Sequence, residues 1–97
     1  MVFKILYLQA ALTDLEEVFE WSRANHQITS DQFADDLFNH IEFLRDYPNM
    51  GPILRDRSHL RRLVHSPFII YYRVNRVRML IEILHIRHSS RRPPFIQ

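Results

Sequence analysis

The sequence predicts an α+β fold in which an N-terminal strand and an α-helical hairpin pack on a twisted antiparallel β-sheet. Three observations predict it. The hydrophobic period shifts from three-to-four over the first half to strand-like runs over the second. Pro48-Asn49-Met50-Gly51-Pro52 separates the two regimes. The connections between the later runs are too short for anything but antiparallel pairing.

Val2, Phe3, Ile5, Leu6, Tyr7 and Leu8 form a β-branched and aromatic run, the opening strand. Ala11, Leu12, Leu15, Val18, Phe19 and Ser22 then recur at helical spacing, predicting a helix from about Ala10 to Ala24. Asp14, Glu16, Glu17 and Glu20 crowd its first half, where acids complement the helix dipole. Thr13-x-x-Glu16 also has capping-box spacing, which would start the helix a turn later. Asn25-His26-Gln27-Ile28 reads as a short connection. Thr29-x-x-Gln32, with Ser30 and Asp31, supplies capping candidates for a second helix. That helix carries Phe33, Ala34, Leu37, Phe38, Ile41 and Leu44 and ends near Tyr47-Pro48. Beyond the loop, Leu60–His65, Phe68–Val74 and Met79–Arg87 read as strands, broken by Ser66-Pro67 and by the neighbourhood of Asn75-Arg76. The tail from about residue 89 has no periodicity and is expected to be exposed. Leu15, Phe19, Phe33, Leu37, Ile41 and Leu44 are expected to pack on Leu63, Ile70, Tyr72, Ile81 and Ile83, with Phe68 also in the core. If residues 74 and 77 flanked a two-residue turn, Arg73 would face Arg78, an unfavourable pairing unless a longer loop shifts the register.

Composition narrows the function. The 97 residues make one compact domain, 1–97, and at 46% hydrophobic they can fill a core. With no cysteine there is no disulfide framework or thiolate nucleophile, which fits a reducing cytoplasm. No apolar run approaches the ~20 residues that cross a bilayer, so no membrane role is expected. Gly51 is the only glycine, which excludes glycine-rich phosphate cradles. The six histidines do not suggest a metal: His85 and His88 are three apart on a strand, and His59 and His65 are scattered. Asp14/Glu17 and Asp35/Asp36 read as solvated acids on the outer sides of helices. No cofactor is implied.

The charge is sharply divided. Residues 1–50 carry Lys4, Arg23 and Arg45 against nine carboxylates, a net −6; residues 51–97 carry ten arginines against Asp56 and Glu82, a net +8. Arginine favours bidentate recognition of phosphate or carboxylate. Either an acidic helical layer lies on a basic sheet, or the second half presents a basic surface to nucleic acid or an acidic partner. Arg61, Arg73 and Arg91 need partners wherever they are buried, in helix carboxylates or in an external anion.

Several segments together resemble the RelE/ParE family of toxins from type II toxin–antitoxin modules, and its ParE branch most. They are Arg61-Arg62-Leu63, the strand ending Tyr72-Arg73, and the closing His88-Ser89-Ser90-Arg91. Ala10/Ala11 and Asp14-Leu15 in the first helix, and Pro48-x-x-Gly51, extend the similarity over nearly the whole chain. The resemblance implies a toxin neutralised by a cognate antitoxin in a hetero-oligomer, with one of two targets. A ParE-type toxin poisons DNA gyrase through a binding surface, here His88, Arg91 and Arg92, and is not an enzyme in that role. A RelE-type toxin cuts mRNA on the ribosome without metal, which would use His88 as acid/base and Arg61 and Arg73 as phosphate clamps. The absence of any Tyr after Tyr72 and of Lys in the second half departs from the nuclease branch and favours gyrase.

Overall fold

The computed structural model describes residues 2–25 and 30–94. In chain order the elements are β1 (Lys4–Tyr7), α1 (Gln9–Asn25), α2 (Ser30–Glu42) with a 3-10 turn at Phe43–Arg45, β2 (Ile53–Leu54), β3 (Arg57–His65), β4 (Phe68–Asn75) and β5 (Leu80–His88). The strands form one sheet in the order β1-β5-β4-β3-β2. β2 to β5 run as an antiparallel meander, but β1 lies parallel to β5, pairing Lys4 with Leu80 through Tyr7 with Ile83. The sheet is therefore mixed rather than wholly antiparallel. The chain between these two strands holds every other element, and such a long crossover permits parallel pairing where a short turn does not.

Local chemistry sets the boundaries. The first helix begins at Gln9, so Thr13 is not its cap; its Oγ1 instead donates to the Gln9 carbonyl one turn back, at 3.1 Å. Thr29 and the connection 26–29 lie outside the described residues. Residues 76–79 form a four-residue connection, and Met79, at φ 56°, takes the left-handed conformation that a strand cannot continue. This longer loop sets Arg73 opposite Glu82, not Arg78, and the two form an ion pair at 2.6 Å.

The core lies between the helices and one sheet face. Val18, Leu37, Ile41 and Leu44 are fully buried against Phe68, Ile70, Tyr72, Ile81, Ile83 and Ile86. Phe33 and Leu63 join them as expected, Leu15 packs at the margin, and Ala11 and Phe3 complete the cluster. Phe19 sits at the helix–helix seam, tilted against Phe38 at 6.5 Å, while Trp21 meets Phe33 at 5.2 Å. These two contacts fix α1 and α2 as a hairpin beside the sheet.

One loop is pinned from three sides. The Tyr72 hydroxyl donates to the Pro48 carbonyl at 2.8 Å and accepts from the Gly51 N–H at 2.9 Å. Arg61 Nη1 donates to the Gly51 carbonyl at 2.8 Å. A Cβ on Gly51 would lie 2.2 Å from the Arg62 carbonyl oxygen, so glycine is required here by close approach of two backbones.

Candidate functional site

His88 closes β5 and stands opposite Phe68. Its ring meets Phe68 edge-on at 5.4 Å and leans on Trp21 at 6.1 Å. The Ser90 N–H donates to His88 Nδ1 at 3.1 Å, and the Ser90 hydroxyl lies 2.8 Å from the same atom. An accepting Nδ1 places the proton of the neutral ring on Nε2. The Arg91 N–H then donates to the His88 carbonyl, turning the tail back, and the Arg91 guanidinium pairs with Glu17 of α1. Arg92 is exposed. Glu17, Trp21, Phe68, His88 and Arg91 line a shallow groove of about 400 Å³. Glu17 is thus an ion-pair partner, not merely a solvated acid. His88, Arg91 and Arg92 occupy one end of the sheet, as neighbours in a strand and its tail must.

The cleavage set is not gathered. His88 pairs with Phe68 at one end of β4, whereas Arg61 pairs with Tyr72 and Arg73 with Glu82 towards the other. Phe68 and Tyr72 are four positions apart on the strand, about 13 Å at the usual rise. Arg61 is committed to the carbonyls of Gly51 and Asn49, and Arg73 to a strand carboxylate. Neither partner is a helix acid.

A different set does converge on the face of the sheet away from the helices. Phe68, Ile70 and Tyr72 point into the core, so Ile69, Tyr71 and Arg73 point the other way. Arg62, Tyr71 and His85 stand opposite one another across β3, β4 and β5, with Arg87 opposite Ile69 in the next row. A bulge between Tyr71 and Tyr72 leaves Leu84 of β5 without a partner on β4, and this shift aligns His85 with Tyr71. β1 covers β5 only as far as Ile83. At the uncovered edge the Asp14 carboxylate of α1 accepts the Ile86 N–H at 2.9 Å and holds His85 Nδ1 at 3.2 Å. Asp14 is therefore a structural acceptor and an imidazole orienter, which corrects its reading as a solvated acid.

The electrostatics of this row are marked. Burial pushes the Tyr71 hydroxyl above the ordinary phenol range, while Arg62 and Arg87 pull it back. The Arg87 Nε is buried and, among the described residues, has no hydrogen-bond partner. Beside Tyr71 opens a cavity of about 360 Å³ whose walls include Arg55, Arg57, Arg62 and Pro93, with Asp56 the only carboxylate on them among the described residues. The cavity can hold an anion between guanidinium groups, beside a protonated phenol. No group of three or more His, Asp or Glu side chains that could hold a metal occurs among the described residues. No helix of the described chain is long and apolar enough to cross a membrane.

This row could be found in the sequence only in part. Alternation in β4 sets Tyr71 apart from Tyr72, and Arg62 alternates with Leu63. His85 joined them only through the bulge, and Asp14 only through the seating of α1 on the β5 edge.

Residues 5–93 match the family model of the ParE toxin of type II toxin–antitoxin systems, parDE. No curated protein matches the sequence. A chain of the chromosomal ParDE system of P. aeruginosa superposes with a TM-score of 0.71 at 19% identity, covering 89% of this chain and 95% of that one. A chain of the RelBE2 toxin–antitoxin complex of Mycobacterium tuberculosis superposes with a TM-score of 0.67 at 16% identity, covering 91% of this chain and 99% of that one.

Proposed function

The chain belongs to the ParE toxin family of type II toxin–antitoxin systems, and on that premise we propose that it poisons DNA gyrase by binding and is held inactive by a cognate antitoxin. The observation that carries the choice of binding over catalysis is the dispersal of Arg61, Arg73 and His88, with both arginines already engaged inside the fold. Acid–base cleavage of RNA needs its groups within hydrogen-bond reach of one phosphate. The strand-end surface of His88, Arg91 and Arg92 asks for less. Two guanidinium groups beside an aromatic groove suit DNA phosphates or an acidic protein surface. Arg91 exchanges its exposed pairing with Glu17 for the target at little cost, since such pairs contribute about 0–1 kcal/mol.

An antitoxin partner is supported by the fold, because the ParDE and RelBE2 chains it resembles come from toxin–antitoxin systems. It is supported also by charge: a net +8 over residues 51–97 suits an acidic segment. The cytoplasm, where gyrase and ribosomes work, is the location this reading requires.

The test gives purified toxin to gyrase with plasmid DNA and, separately, to translating ribosomes with labelled mRNA. Gyrase poisoning with intact mRNA is expected, and Arg91→Ala with Arg92→Ala should abolish it while leaving antitoxin binding in place. Codon-dependent mRNA cuts with supercoiling untouched would overturn the reading. The second reading, RNA cleavage, is favoured by one observation: Arg62, Tyr71, His85 and Arg87 share a face. In that case His85→Ala should lower cleavage ~10²–10⁴-fold, and His88→Ala far less.

A further inference from the structure

His40, in the last turn of α2, and His65, the last residue of β3, meet across the helix–sheet seam. Their Nδ1 atoms are 2.9 Å apart and their ring centroids 5.1 Å apart, at 54°. The centroids are farther apart than the nitrogens by close to two imidazole radii, so each Nδ1 points at the other. One proton fits between them, with one nitrogen donating and its neighbour accepting. A first added proton leaves that bond in place and makes it charge-assisted. A second puts N–H on both nitrogens, and the contact becomes a repulsion.

We propose that the His40–His65 pair is an acid-released latch between α2 and β3, closed while at most one added proton is bound and opened by the second. The surroundings set when it opens. Burial, and then the positive charge of His40, hold the His65 imidazole below the ordinary histidine range, and Asp36, one turn earlier on α2, works against both. The ring of Phe33 packs against His65 at 5.6 Å. On β4 the residue opposite is the uncharged Phe68, whose other neighbour is His88 of β5. A histidine whose folded value is lowered takes up fewer protons than the unfolded chain. Its contribution is therefore present above the ordinary value of ~6.5 and is lost as pH falls through the lowered one. The latch stays closed at neutral pH, and acid removes this one tie between α2 and the end of β3, while Leu37 and Ile41 keep the helix seated in the core. The inference does not depend on which target the toxin takes.

A double-mutant cycle of His40→Gln and His65→Gln, read by urea unfolding, tests it. At pH 7.5 the coupling should change the unfolding equilibrium constant about fivefold, as one part-buried hydrogen bond does. At pH 5.0 it should vanish or reverse sign. In the unaltered protein, the ring-proton NMR signal of His65 should titrate below the ordinary histidine value. A coupling equal at both pH values would overturn the latch. So would titration of His65 at the ordinary histidine value, a measurement that stands even where a variant does not fold.

Discussion

Replacing Tyr72 by Phe should cost this domain about 2–3 kcal/mol, although it removes one oxygen atom and leaves the ring in place. The side chain is fully buried, and its hydroxyl both donates to the Pro48 carbonyl and accepts from the Gly51 N–H. Each backbone group left without a partner inside the protein costs about 1–3 kcal/mol. The Pro48 carbonyl lies in a half-exposed residue and can turn to water, so its share falls at the low end; Gly51 is buried and cannot. The loop is also tied to β3, since the Arg62 N–H donates to the Pro52 carbonyl at 3.1 Å and Arg61 donates to the Gly51 carbonyl. The assay is urea unfolding, in which the midpoint should fall while the slope is unchanged. By heat, each kcal/mol should lower the melting temperature by about 4–8 °C. Combining Tyr72→Phe with Arg61→Ala should show coupling of about 0.5–1.5 kcal/mol, since both side chains hold Gly51. A loss below about 0.5 kcal/mol for Tyr72→Phe would refute the argument that this hydroxyl anchors the loop.

Three further outcomes follow from the same structure. Asp14→Ala should destabilise the fold by about 1–3 kcal/mol and speed hydrogen exchange at Ile86, whose N–H it leaves unpaired; unchanged exchange there would contradict the edge-capping role. Stability should hold up to about pH 10 and fall between there and pH 12, because burial, aided by Glu42, pushes the Tyr7 hydroxyl up to about 12. The sign is that of a folded value above the unfolded one, so stability is lost as pH rises, and Tyr7→Phe should flatten the fall. The rate of association with an acidic antitoxin should drop as salt rises, in keeping with the +8 half; a flat rate would leave only apolar docking.

The physical reason that the fold was legible and the site only partly so lies in what each depends on. Phe33, Leu37, Ile41 and Leu44 announce a buried helix face because helical spacing alone puts them on one side. Phe68, Ile70 and Tyr72 do the same for a strand, and the burial of all three follows from period two. Parallel pairing of β1 has no local signature, since no turn connects it to β5. β2 has only two residues, one of them exposed, and shows no period at all. The site rests on finer placement still. Arg61 and Arg73 looked equally available as phosphate clamps, yet loop carbonyls claim one and a cross-strand carboxylate the other. Which of ten arginines stays free to meet a ligand is decided by register. In β5 that register turns on Leu84: without the extra residue, His85 and Arg87 would point into the core in place of Ile86. A single bulged position thus converts an ordinary amphipathic strand into one that carries Ile81, Ile83 and Ile86 inward and sets His85 beside Tyr71.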